Sequence, residues 1–158
     1  MSSLDPAIQQ AVADAVSRLK DTPGALLPVL HAVQDAVGYV PAAAVPLNAD
    51  GLNLWRADVH GVISFYHYFR ETKPGRHVIH LCRAEACQSM NQQATEAHAK
   101  AALGVDYHGT TRNGAFTFEP VYCLGNCAAS PAMMIDGELY GRVTPARFDA
   151  IVGAWEKR

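Results

Sequence analysis

The run His77-Val78-Ile79-His80-Leu81-Cys82-Arg83-Ala84-Glu85-Ala86-Cys87 decides how this chain is read. Val78, Ile79 and Leu81 make Arg76 to Leu81 a short β-type run, bounded upstream by Lys73-Pro74-Gly75 and followed at once by two cysteines. Downstream, Gln88 to Leu103 is Ala-rich and predicts a helix, with Gly104 as its stop. The same device then recurs. Phe116, Phe118, Val121 and Tyr122 predict a second strand, and Cys123-Leu124-Gly125-Asn126-Cys127 follows it directly. Met133 to Ile135 and Leu139 to Val143 flank Asp136-Gly137, the dipeptide of a tight hairpin. Thr144-Pro145 opens a last helix carrying Phe148, Ile151, Val152 and Trp155.

The order β-α-β-β-β-α is the outline of an α/β, thioredoxin-like sheet with helices packed on it. The residues before it have a different period. Ile8, Val12, Val16 and Leu19 recur every three or four positions from Ala7 to Lys20, one face of a helix. Leu26, Leu27, Leu30, Val33 and Val37 continue at that spacing to Gly38, with Thr22-Pro23 as the expected cap and Pro28 in the first turn. Pro41 and Pro46 bracket an expected connection, and Leu47 to Phe69 predicts short helices broken near Gly51 and Gly61. The organisation expected is a helical segment, 1–73, that grips a partner, followed by a thioredoxin-like domain, 74–158.

A chain of 158 residues with 49% apolar and 18% charged residues can bury a core of its own. Its 13 basic and 15 acidic residues give a charge of −2 with no basic run, which argues against a nucleic-acid partner. No apolar stretch approaches a membrane span, and Met1-Ser2-Ser3-Leu4-Asp5 has no secretory pattern, so a cytoplasmic location is expected. In that reducing compartment four cysteines point to metal binding or redox chemistry before structural disulfides.

All four cysteines fall in two pairs, Cys82-x4-Cys87 and Cys123-x3-Cys127, each just after a predicted strand. Loops at the ends of neighbouring strands can bring four thiolates together. The 35 residues between the pairs suffice for a helix and a returning strand. On spacing alone, a four-thiolate zinc site in a binding module without redox function competes with a [2Fe-2S] cluster. Neither spacing is the Cys-x-x-Cys of a thioredoxin-type dithiol. Gly125 tilts the balance toward iron and sulfur, because backbone N–H groups can approach inorganic sulfide where no side chain intervenes. The amides of Arg83 to Ala86 are expected to do the same, and Ser130-Pro131 to lead the second loop back to the sheet.

Cys-x4-Cys, Cys123-Leu124-Gly125-Asn126-Cys127 and the following Pro131 together resemble the thioredoxin-like [2Fe-2S] ferredoxin family. Leu26 to Gln34, Gly38-Tyr39-Val40-Pro41, His60-Gly61-Val62 and Phe65-Tyr66 resemble the helical extension of its members that pair with flavin-containing, NADH-binding subunits. Those members belong to respiratory complex I, NAD-linked hydrogenases and NAD-dependent formate dehydrogenases. The first loop, Cys82 through Cys87 and on to Gln88-Ser89-Met90, looks like the gamma subunit of the soluble, molybdenum-dependent formate dehydrogenases. Asn91 stands where the family pattern suggests glycine.

The resemblance implies that Cys82, Cys87, Cys123 and Cys127 are the cofactor-binding and metal ligands of one [2Fe-2S] cluster. It implies an electron-transfer subunit with no catalytic residue of its own. FMN and NAD would lie on the partner, and formate oxidation would belong to the whole complex with its molybdenum-containing subunit. The absence of a Gly-rich phosphate fingerprint agrees with a nucleotide bound elsewhere. The seven histidines share no ligand spacing with the cysteines. His80 either faces the first cysteine or projects from the other side of its strand. Phe65, Tyr66, Tyr68 and Phe69 are expected in a core or on a partner-facing patch.

Overall fold

The computed structural model describes residues 5–158, which form two compact units that part between Lys73 and Pro74. In the first, α1 (Pro6–Leu19) starts at Asp5, whose carboxylate accepts from the Ala7 N–H, and α2 (Leu26–Val37) ends at Gly38 in the left-handed region. Thr22 does not cap α2. Its hydroxyl instead donates to the Leu19 carbonyl and so closes the end of α1. Pro46 lies inside the first turn of α3 (Val45–Leu52), where its missing N–H costs nothing, and a 3-10 turn at Ala42–Ala44 precedes it.

Of the breaks expected near Gly51 and Gly61, the first falls at Asn53, left-handed at φ 53°, and the second does not occur, because α4 (Arg56–Phe65) runs straight through Gly61. Gly51 has a different role: a Cβ there would lie 2.8 Å from a Val16 methyl, so the glycine lets α3 approach α1 closely. Val12, Ala15, Val29, Val33 and Ala44 form one core, and Leu30, Val40, Ala49, Val59, Ile63 and Phe69 another. Buried Gln34 ties the returning chain to α2. Its Nε2 donates to the Tyr68 carbonyl and its Oε1 accepts from the Arg70 N–H, both at 2.9 Å.

The second unit is a five-stranded mixed sheet ordered β2-β3-β1-β4-β5, thioredoxin-like as expected. At its centre β1 (His77–Cys82) and β3 (Phe116–Val121) are parallel, with Cys82 opposite Val121. Between them in sequence lie α5 (Glu85–Ser89), α6 (Gln92–Leu103) and the two-residue β2 (Gly109–Thr110). Where one helix from Gln88 was expected there are two, because Asn91 takes a left-handed turn at φ 60°, a conformation asparagine tolerates better than most residues. The hairpin of β4 (Met133–Ile135) and β5 (Glu138–Tyr140) turns at Asp136 and Gly137, both with positive φ. α7 (Pro145–Trp155) is capped by the Thr144 hydroxyl, which accepts from the Arg147 N–H.

Strand alternation sends Ile79 and Leu81 of β1 to one face, where they join Phe116, Phe118, Met133 and Ile135. Ala99 of α6 and Phe148 and Trp155 of α7 complete that core. Two hydrogen bonds fix the helices over it: the Thr95 hydroxyl donates to the Val143 carbonyl at 2.9 Å, and the Trp155 indole donates to the Tyr140 hydroxyl at 2.7 Å.

Candidate functional site

Parallel pairing of β1 and β3 carries both cysteine segments to one end of the sheet. Cys82 is the last residue of β1, and the chain there is clamped from both sides. Its N–H donates to the Ala132 carbonyl at 3.0 Å, and the next N–H, of Arg83, donates to the Val121 carbonyl at 2.7 Å. The Arg83 amide is therefore committed to the sheet and not free for a ligand. Cys87 projects from α5, and it and Cys82 are each 2% exposed, packed with Ala132 against Ala84, Val121 and Leu124. Cys123, at φ 127°, and Cys127, which opens a 3-10 turn at Cys127–Ala129, are exposed. The site thus has a buried pair and a surface pair.

All four thiols are free. The sulfurs of Cys123 and Cys127 are 3.8 Å apart, and the Gly125 N–H donates to the Cys123 sulfur at 3.3 Å. Gly125 has φ +74°, a conformation that suits glycine and aims its amide inward. Burial pushes the Cys87 thiol up from its ordinary 9.0 to about 11, helped by the hydrogen bond with Cys82 and by the charges of Cys82 and Cys127. Cys127 is raised by its hydrogen bond with Cys123 and by the charges of Cys123 and Cys82. Each pair therefore feels the other across the site. Among the described residues no group of three or more His, Cys, Asp or Glu side chains is arranged to hold a metal ion. Thiolates in two pairs are soft donors of the kind that iron–sulfur centres and zinc sites share.

The second loop is held from behind. The Ser130 hydroxyl donates to the Cys127 carbonyl at 2.9 Å, the Ser130-Pro131 peptide is cis, and the N–H groups of Arg142 and Val143 donate to the carbonyls of Ala129 and Pro131. Gly141 makes this possible: a Cβ there would lie 2.7 Å from the Ala129 oxygen and 2.9 Å from the Asn126 amide nitrogen. Residues 12–156 match the family described as thioredoxin-like [2Fe-2S] ferredoxin.

The chain belongs to that family. The family carries a [2Fe-2S] cluster, so four thiols in two pairs at one end of a thioredoxin-like sheet have a ready chemical context. A subunit of the NADH-quinone oxidoreductase of Pseudomonas aeruginosa is 36% identical over 80% of this chain and 76% of its own length. The NADP-reducing hydrogenase subunit HndA of Solidesulfovibrio fructosivorans is 30% identical over 94% of this chain and 86% of its own. Among solved structures, an NAD+-reducing [NiFe]-hydrogenase in the air-oxidised state superposes with a TM-score of 0.71 at 26% identity, covering 89% of this chain. This ferredoxin-family chain spans only 24% of that hydrogenase chain.

The histidines do not gather at the cysteines. His77 pairs with Asp136, His98 with Asp149 and His108 with Glu119, at 2.6 to 2.7 Å. His80, two residues before Cys82 in β1, shares the strand face of Cys82. The aromatic run divides: Phe69 is buried, while Phe65, Tyr66 and Tyr68 are exposed. No helix among the described residues is long and apolar enough to cross a membrane. Gly141, expected within a longer strand from Leu139 to Val143, is a site residue that the sequence does not single out. Its signal, a glycine just after a hairpin, is common to many turns that approach nothing.

Proposed function

We propose that this chain is a one-electron relay subunit in which Cys82, Cys87, Cys123 and Cys127 ligate one [2Fe-2S] cluster. The observation that carries this reading is that the two thiol pairs follow two parallel, adjacent strands at one end of the sheet of a chain that belongs to a [2Fe-2S] family. When bound, such a cluster supplies one-electron storage beside the two-electron hydride chemistry of a flavin. The chain's own residues do the rest. Leu124, Val121 and Ala132 shield the Cys82 and Cys87 side from water, and the Gly125 N–H donates a hydrogen bond to the Cys123 sulfur.

The partner in this reading is a flavin- and NAD-binding iron-sulfur protein, engaged by the helical unit, residues 1–73. The assembly is a cytoplasmic NAD-dependent formate dehydrogenase with a molybdenum-containing catalytic subunit. The formate assignment rests on the likeness of Cys82 through Met90 to the gamma subunit of those enzymes. The isolated chain then oxidises no formate. A second reading, the equivalent subunit of complex I or of an NAD-linked hydrogenase, is favoured by the names of the relatives above.

Iron and acid-labile sulfide at about two each per chain, with a red-brown colour, support the cluster. A colourless protein with one zinc defeats it in favour of a structural site. Co-purification of the endogenous complex decides between assemblies: a molybdenum-containing subunit supports the formate reading, and a nickel-iron subunit overturns it without touching the cluster.

A further inference from the structure

Arg83, inside the first cysteine loop, is the basic end of a charge network that reaches well beyond the site. Its Nε lies 3.2 Å from Glu96 of α6, and its guanidinium sits 5.3 Å from the centre of the Tyr107 ring. Glu96 is held in turn by Lys100 at 2.9 Å and by Gln92, whose Nε2 donates to it at 3.1 Å. Lys100 also pairs with Asp106 at 2.9 Å and lies 4.6 Å from the Tyr107 ring centre. Two cations and two anions thus meet around one aromatic ring.

Arg83 links both cysteine segments through its backbone, which follows Cys82 and donates its N–H to Val121 at the end of the strand that leads to Cys123. An arginine guanidinium keeps its charge across the accessible pH range. Glu96, with a side chain 13% exposed against 39% for Arg83, is the better-buried member of the pair. Removing Glu96 leaves Arg83 without its carboxylate, whereas removing Arg83 leaves Glu96 with Lys100 as its remaining ion-pair partner, so either change alters the net charge beside the first cysteine loop by one unit.

We propose that the Arg83–Glu96 pair sets the reduction potential of the group held by the four cysteines, Arg83 raising it and Glu96 opposing it. Arg83 is a positioning residue that also stitches the two cysteine loops together. The inference rests on the ligand assignment proposed above. The step it biases is the arrival of one electron, from the partner's reduced flavin or from dithionite in the test tube; no bond forms or breaks, and no proton moves at Arg83.

The test is redox titration of the loaded full-length chain, followed by EPR and visible circular dichroism, for wild type, Arg83→Gln, Glu96→Gln, Arg83→Lys and the double variant Arg83→Gln/Glu96→Gln. At a fixed applied potential, Arg83→Gln shifts the reduced-to-oxidised ratio about tenfold toward oxidised, and Glu96→Gln shifts it the other way. For one electron a tenfold shift is about 59 mV. Arg83→Lys and the double variant stay near wild type, and both single shifts shrink as salt is raised. Single shifts of the same sign, or no shift with iron and sulfide retained, overturn the inference and leave the cluster reading standing. Should Arg83→Gln fail to hold iron, Glu96→Gln decides alone, and an unchanged or lowered potential overturns the inference. A wild-type chain without iron and labile sulfide overturns both readings.

Discussion

Replacing Gly141 by alanine puts a methyl group where the structure has no room for one. The new Cβ would lie 2.7 Å from the Ala129 oxygen, 2.8 Å from the Ala129 Cβ and 2.9 Å from the Asn126 amide nitrogen. Ordinary contact begins near 3.4 Å, so the second cysteine loop or the end of β5 must retreat by ~0.7 Å. Neither can do so freely, because the next residue, Arg142, donates its N–H to that same Ala129 oxygen at 2.6 Å. Overpacking of this kind costs about 1–3 kcal/mol. In a unit of this size each kcal/mol moves the melting midpoint by roughly 4–8 °C, so a cost of about 2 kcal/mol lowers Tm by roughly 8–16 °C. Thermal unfolding of the loaded chain by far-ultraviolet circular dichroism measures the loss. With Cys127 a ligand as proposed, the EPR spectrum of the reduced protein reports whether it has moved. A Tm within about 3 °C of wild type would refute the steric argument, and a lowered Tm with an unaltered EPR line shape would refute the claim that the strain reaches the site.

Gly61 and Gly153 are the opposite case, since both lie inside helices with nothing within 4 Å of a Cβ. Alanine at either position stabilises by about 0.5–1 kcal/mol, read as a rise in Tm, and a neutral or lower value counts against the packing described for α4 and α7. Glu96 supplies a pH dependence. Burial pushes its carboxyl up, but hydrogen bonds from Lys100 and Gln92 and the charges of Arg83 and Lys100 bring it below the ordinary 4.5. Between the folded value and 4.5 the unfolded chain binds more protons, so this contribution to stability is full above 4.5 and is lost as pH falls through the folded value. Urea unfolding of the cluster-free chain, compared with Glu96→Gln, should show a stability gap that closes on acidification; a gap constant from pH 6 to about 3 removes the linkage.

What could be read from the residues follows from how far each signal reaches along the chain. α1, α2 and α7 repeat their apolar positions over three turns, and the Asp136-Gly137 turn states its conformation in two residues, so each was legible. β2 spans two residues, too short to show alternation. Asn91 and Asn53 break helices by adopting a conformation that asparagine permits and does not announce, while Gly51 and Gly61, the obvious breakers, sit inside helices. At the site, the pairing of the cysteines was visible as spacing. The link from Arg83 to Glu96 and the closeness of Gly141 to Ala129 depend on chain segments that meet only after folding, so no local pattern records them.

The parallel pairing of β1 with β3 also fixes a timetable. Because the two strands run the same way, the chain must complete α5, α6 and the return along β2 before the second pair of thiols can reach the first. During synthesis Cys82 and Cys87 leave the ribosome while the strand that will lie beside them is still unmade, and contacts this distant in sequence form late. The pair that reaches its place last, Cys123 and Cys127, is also the pair left facing solvent once the sheet is complete.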